Sequence, residues 1–230
     1  MRLISIDMNA KQIAAERAVD YVKDGMIVGL GTGSTAYFAI QKIGSLVKQG
    51  MKIKAIASSQ ASDDLARQLG IPLLEPGNEQ QIDVSIDGAD EVDTNGNLIK
   101  GGGGALLREK ILATNSKKFF VVVDESKLVT KLGKFKLPVE IIKFGSVLTL
   151  AKLEALGGKP VVRQKDGKDF NTDNGNLIAD CSFYPIEDPK ALHEQLKQLT
   201  GVVETGIFPT EVVTAVIAAY ASGETKQFDY

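Results

Sequence analysis

Apolar residues at Ile13, Ala14, Ala18, Val19 and Val22 recur every three or four positions, which predicts a helix over Ala10–Val22 closed by Lys23-Asp24-Gly25. Met26–Leu30 reads as a buried strand, and Gly29-Leu30-Gly31-Thr32-Gly33-Ser34-Thr35 makes a glycine-rich turn. Helical spacing resumes over Ala36–Lys48 through Phe38, Ile40, Ile43 and Val47. Lys52–Ala57, Pro72–Leu74, Ile82–Asp87 and Phe119–Asp124 read as strands, with helices at Ser62–Leu69 and Ala105–Asn115. Strands alternating with helices predict a parallel sheet covered by helices, with ligands bound at the carboxyl ends of the strands.

The pattern changes at Leu132-Gly133-Lys134-Phe135-Lys136-Leu137-Pro138, which we read as a domain crossing. Beyond it come a strand at Val139–Lys143, a helix at Ser146–Leu156, strands at Pro160–Arg163 and Asn176–Ser182, a helix at Pro189–Leu199 and a strand at Val202–Gly206. The order β-α-β-β-α-β is that of a split βαβ, an antiparallel sheet with two helices on one face. Thr210–Tyr220 fits a strand or a helix equally well. The expected fold is α/β: a Rossmann-like parallel-sheet domain over 1–132 plus 208–230, and a smaller α+β, ferredoxin-like domain over 133–207.

Composition narrows the function. With 27 Lys+Arg against 29 Asp+Glu the net charge is −2, so the basic excess that draws nucleic acid or anionic lipid is missing, and neither partner is expected. Cys181 and His193 are the sole cysteine and histidine, which disfavours disulfides, zinc and Ser-His chemistry. We expect Cys181 to be a small core residue and His193, beside Lys190, Glu194 and Lys197, to lie on a helix surface. Asp7, Lys11, Glu16, Arg17, Asp20 and Lys23 break up the first twenty-five residues as no signal-peptide core tolerates, and apolar runs such as Phe119–Val123 are too short to span a bilayer. A soluble, cytoplasmic protein is expected.

Five segments carry candidate chemistry. The first glycine turn has Ser34 where a dinucleotide fingerprint needs its third glycine, and the second strand ends in Ser58-Ser59-Gln60 with no acid for a ribose hydroxyl. A nicotinamide cofactor is therefore disfavoured. The turn also lacks a P-loop lysine and does not fit a nucleophile elbow. Its Thr32, Ser34 and Thr35 hydroxyls and amides suit a phosphate or polyol, or it is a plain structural turn. Asp87-Gly88-Ala89-Asp90-Glu91-Val92-Asp93 sets four acids at a strand end; a solvated turn, a Mg²⁺ site, and hydroxyl recognition or proton transfer are all open.

Lys100-Gly101-Gly102-Gly103-Gly104 is the most specific feature, because four glycines lose much entropy on ordering and a mere connector has no need of them. They precede a helix, so their N–H groups can line an anion while Lys100 supplies charge; a flexible lid is the competing reading. On that helix Glu109 has Ala105, Leu106, Leu112 and Ala113 as its neighbours one turn away, while Arg108 and Lys110 project to either side. No cation stands at the usual pairing distances on the helix. A desolvated carboxylate has a raised pKa and suits abstraction of a carbon-bound proton, although a structural contact would also explain it. Lys127, in Asp124-Glu125-Ser126-Lys127 at the end of another strand, can reach the same crevice or be solvated.

Together Gly31–Thr35, Asp87–Glu91, Lys100–Gly104, Arg108-Glu109-Lys110 and Asp124–Lys127 resemble, in order, ribose-5-phosphate isomerase, type A. The likeness continues through Lys134–Val139, Leu156-Gly157-Gly158 and Thr172-Asp173-Asn174-Gly175-Asn176, and is least in the last twenty residues. It implies interconversion of D-ribose 5-phosphate and D-ribulose 5-phosphate through a cis-enediolate, in the non-oxidative pentose phosphate pathway, with no metal and no cofactor. Glu109 matches the general base, and Lys100 is suited to stabilising the oxyanion. Asp87 matches a catalytic and substrate-contacting position; Thr32, Gly33, Ser34, Thr35, Gly88, Ala89, Asp90, Gly101, Gly102, Gly103 and Lys127 match substrate contacts. A homodimer or homotetramer is implied as well. A sugar-phosphate sensor would share the glycine turns without a base but needs a DNA-reading domain; a deaminase or lactonase would use histidine, and His193 falls in the smaller domain.

Overall fold

A computed structural model describes residues 9–77 and 81–230. Residues 1–8, with Asp7 among them, and 78–80, all assigned above to the larger domain, lie outside the described residues. The chain runs through α1 (Ala10–Val19), β1 (Ile27–Leu30), α2 (Ser34–Lys48), β2 (Lys54–Ala57), α3 (Gln60–Leu69) and β3 (Ile82–Gly88). Two short strands, β4 (Glu91–Val92) and β5 (Leu98–Ile99), precede α4 (Leu106–Thr114) and β6 (Ser116–Asp124). Next come β7 (Leu137–Ile141), α5 (Ser146–Ala155), β8 (Val161–Val162), a hairpin of β9 (Gln164–Lys165) and β10 (Lys168–Asp169), β11 (Leu177–Cys181) and α6 (Pro189–Lys197). The chain closes through β12 (Val202–Thr205), β13 (Ile207–Phe208), β14 (Ala215–Ala219) and β15 (Thr225–Asp229).

The main sheet has the order β15-β14-β6-β3-β1-β2, parallel throughout except for the antiparallel edge strand β15. The unbroken apolar run in β6 reflects burial on both faces. Phe120 and Val122 join the core under α1 and α2, while Phe119, Val121 and Val123 join the opposite one with Val92, Leu98 and Phe208. Ala14, Ala15 and Ala18 let α1 lie close against the sheet.

The second sheet, β12-β7-β11-β8, is antiparallel, with β11 between β7 and β8 as a split βαβ requires. Leu137, Val139, Ile141, Leu177, Ala179 and Cys181 pack with Leu153 of α5 and Leu196 of α6. Because side chains alternate along a strand, Asp180 and Glu140 fall on the other face, away from α5 and α6.

Two expectations need correction, and one open reading is resolved. Pro72–Leu74 forms one bridge from Leu73 to Ala55, not a strand, because Pro72 has no N–H to extend the ladder. Thr210–Tyr220 divides into a 3₁₀ turn at Thr210–Val212 and β14, which extends the sheet beyond β6. His193 is half-buried, its Nδ1 2.7 Å from Thr205 Oγ1, and burial and then Lys110 lower its pKa to about 4. A helical surface position was inferred from α6 alone, whereas β12 covers it. Cys181 is fully buried, as expected.

Candidate active site

The carboxyl ends of β1 and β3 form the floor of a cleft. Gly31 N donates to Ile86 O across the two strand ends. A Cβ at Gly31 would lie 2.2 Å from Asp87 Oδ1, so glycine is needed for this close approach. The same carboxylate oxygen accepts Thr32 N at 3.0 Å and Gly88 N at 2.7 Å, tying both turns together.

Lys100 lies above Asp87. Burial alone would lower the pKa of this ammonium, but Asp87 at 2.9 Å and Glu109 at 3.4 Å outweigh it and the net shift is upward. Its Nζ also donates to Gly88 O, so two of its three N–H directions are occupied and one remains on the Glu109 side. The three ionisable side chains are only 3–4% exposed. Glu109 projects from the first turn of α4, and the neighbours read from the sequence, Ala105, Leu106, Leu112 and Ala113, are all buried. Desolvation pushes the Glu109 carboxyl up to about 8; Lys100 pulls against it, while Asp87 and Asp90 add to it. Its Oε2 has no hydrogen-bond partner among the described residues.

The acidic segment divides its labour. Asp90 faces the cleft and accepts Gly102 N at 2.8 Å; burial raises its pKa, and that N–H opposes the shift. Glu91 is buried and accepts Gly133 N and Phe135 N at 2.6 and 2.7 Å, while Asp93 folds the following turn by accepting Asn95 N and Asn97 N. Among the described residues no group of three or more His, Cys, Asp or Glu side chains is arranged to hold an ion.

The cleft, about 490 Å³ counted together with its open mouth, is lined by Thr32, Gly33, Ser34, Thr35, Gly88, Ala89, Asp90, Lys100, Gly101, Gly102, Gly103, Glu109 and Lys127. Two of the expected contacts sit differently. Asp87 lies beneath the floor and does not line the cleft, meeting it through Lys100 and Thr32. The Thr32 hydroxyl turns inward to Ser58 and Ser59 at 2.7 and 2.8 Å, leaving its methyl toward the glycine loop.

Lys11 is a lining residue that the sequence reading missed. Its Nζ donates to Ser34 Oγ at 3.0 Å, bringing a second cation besides Lys127 to the open rim, where α2 begins with no side-chain cap. A lone lysine on a helix gives no local signal of this. Lys110, read as projecting to one side of Glu109, is buried and donates to Glu204 Oε1 and Thr205 O; burial lowers its pKa to about 8 and Glu204 opposes the shift. Arg108 reaches Asn174 Oδ1 and Asp173 O at 2.9 and 3.0 Å.

A profile of the ribose 5-phosphate isomerase A (phosphoriboisomerase A) family matches residues 54–223. The chain belongs to that family. It is 51% identical over 211 residues to ribose-5-phosphate isomerase A of Bacillus mycoides, covering 91% of this chain and 96% of that one. The protein of the same name from Streptococcus gordonii is 48% identical over 216 residues, covering 94% and 96%. Among solved structures, ribose 5-phosphate isomerase A from Methanocaldococcus jannaschii superposes with a TM-score of 0.91 at 41% identity, over 96% of this chain and 98% of that one. A further relative, 38% identical with a TM-score of 0.91 over 97% of this chain and 100% of its own, is described in complex with phospho-erythronic acid. Among the described residues no helix is long and apolar enough to cross a membrane.

Proposed function

We propose that this chain interconverts D-ribose 5-phosphate and D-ribulose 5-phosphate, with Glu109 as the base that moves a proton between C2 and C1. The observation that carries this reading is a buried carboxyl at about 8, an ammonium 3.4 Å away and glycine amides, all meeting in one cleft. A base poised near neutrality suits a weak carbon acid, and the energetic difficulty lies in the charge that develops on the substrate oxygen.

Glu109 takes the C2 proton of the open-chain aldose, the C2–H electron pair forms the C1=C2 bond, and the carbonyl π electrons move onto O1. Lys100 and the Gly103 N–H stabilise that oxyanion. The O2 proton passes to O1, and Glu109 returns its proton to C1 as O2 becomes the ketone oxygen. Asp87 acts by fixing Lys100, and Asp90 is placed to hold a sugar hydroxyl. Lys11, Ser34, Thr35 and Lys127 suit the phosphate at the open rim, where a dianion stays partly hydrated beside the start of α2. All atoms and charges in this scheme come from substrate and from groups of the protein, and no metal or organic cofactor is part of it.

The division we propose assigns proton transfer to residues 1–132 with 208–230, and support of the glycine loop to 133–207. A charged sugar phosphate does not cross a bilayer unaided, so the enzyme shares the compartment that makes it, and the proposed location is the cytoplasm. A homodimer or homotetramer belongs to the same reading; Phe144, just before α5, and Val147 and Leu148 in its first turn are 91%, 75% and 72% exposed, a patch that a second copy would cover. The test is a coupled assay for ketose formation from ribose 5-phosphate in EDTA. Sustained turnover, lost in folded Glu109→Gln, is expected; binding without turnover would support a sensor, and loss on chelation a metal.

A further inference from the structure

The amides between Lys100 and α4 can serve an oxyanion only if their peptide planes are held, because glycine samples the widest range of backbone angles. Lys100 fixes one end, with its N donating to Gly206 O, and α4 fixes the other. The middle is held from the second sheet. Arg163, just after β8, donates through Nη1 to Gly101 O and Gly102 O, each at 3.0 Å. Its Nε and Nη2 meet Asp180 of β11 at 2.9 and 2.6 Å, in a pair whose side chains are 15% and 21% exposed. The Arg163 backbone is tied as well, N to Ile178 O and O to Phe170 N, each at 2.8 Å. Phe170 packs 5.9 Å from the guanidinium, and its ring stands where a Cβ at Gly104 (φ +81°) would come within 2.4 Å.

In a trans peptide the carbonyl and the next N–H point in opposite directions. Gly101 O turned to Arg163 therefore sends Gly102 N–H the other way, where Asp90 Oδ2 accepts it at 2.8 Å. Gly102 O turned to the same nitrogen sends Gly103 N–H away from the guanidinium, on the cleft side, where it has no protein partner among the described residues. Arg163 does not itself line the cleft.

We infer that Arg163, braced by Asp180, is a positioning residue for the isomerisation: it sets the two peptide planes that keep Gly102 on Asp90 and aim Gly103 N–H at the developing oxyanion. The inference rests on the function proposed above. A lysine cannot replace it, since one ammonium cannot both fork a carboxylate and reach two carbonyls from a fixed plane.

The experiment compares wild type, Arg163→Ala and Arg163→Lys for kcat, KM and affinity for phospho-erythronic acid, whose carboxylate presents two oxygens as the enediolate does. Losing one oriented oxyanion donor predicts a fall in kcat of about tenfold or more with KM changed by less than about threefold. Affinity for phospho-erythronic acid falls alongside kcat, and millimolar guanidinium restores much of the Arg163→Ala rate while leaving wild type unchanged. Arg163→Lys covers the case in which the alanine variant does not fold, and shows the same split between kcat and KM. Wild-type kcat in either folded variant, or a loss confined to KM or to Tm and indifferent to guanidinium, overturns the inference. If wild type itself fails to isomerise ribose 5-phosphate, the proposed function falls first; if wild type turns over and the variants match it, only the role of Arg163 falls.

Discussion

A carboxyl at about 8 must lose its proton before it acts as a base, so kcat/KM is expected to rise with unit slope as pH climbs toward 8 and then level off. Initial rates from pH 6 to 9 measure this, and a flat profile would remove Glu109 from the role. Lys100 lowers the Glu109 pKa, so Lys100→Met shifts the rising limb to higher pH, and if Lys100 holds the oxyanion as proposed, kcat falls about 10²–10³-fold. The same shift acts on stability. Between the ordinary 4.5 and about 8 the unfolded chain has lost this proton and the folded chain keeps it, so this group's contribution falls as pH rises, by about 1.4 kcal/mol per unit. Glu109→Gln lacks that slope. It should match wild type near pH 4.5 and become progressively more stable relative to it up to pH 8 in urea titrations; parallel stability curves would contradict the buried, protonated state. Glu109 was legible in the sequence because its four neighbours on one helix are apolar, a purely local fact. Lys100 as its partner was not, since the two are nine positions apart and on different elements.

The strand-glycine-helix unit was readable at the scale of elements, because a buried strand, a turn needing glycine and an amphipathic helix each leave a pattern within about fifteen residues. Gly31 is where that turn meets β3. Gly31→Ala brings a methyl group against Asp87 Oδ1, and overpacking of this kind costs roughly 1–3 kcal/mol. It also dislodges the carboxylate that holds Lys100, so kcat should fall while the circular dichroism spectrum is unchanged; full activity in the variant would show that the two turns can separate freely. Two-residue strands such as β4, β5 and β13 were illegible, since two residues cannot display a period, and pairing between Leu98-Ile99 and Ile207-Phe208 joins parts of the chain far apart. The turn Thr172–Asn176 was read as a point of likeness. Its physical task comes from a different strand: buried Glu140 Oε1 accepts Thr172, Asn174 and Asn176, presenting Asp173 and Asn174 to Arg108 on α4.

Across the whole molecule, the second sheet bears on the cleft without lining it. Helices α5 and α6 cover one face, and the alternate positions turn Asp180 and Glu140 toward the glycine loop and α4. The exposed Phe144, Val147 and Leu148 leave an apolar area at the start of α5. Phe144→Asp is expected to lower the sedimentation mass from an oligomer to a smaller species with no change in helix content. A wild-type chain that sediments as a monomer would end that proposal.

Periodicity, glycine placement and the distribution of charge determined, from the sequence alone, an alternating α/β chain, a split βαβ insertion and a dry glutamate beside a run of glycines, because each depends on neighbours along one element. Tertiary structure decided which cation meets that glutamate, which hydroxyl turns inward, which lysine reaches the rim and which arginine sets the glycine amides. Those outcomes depend on distances between elements far apart in the chain, and no local pattern encodes a distance across a fold.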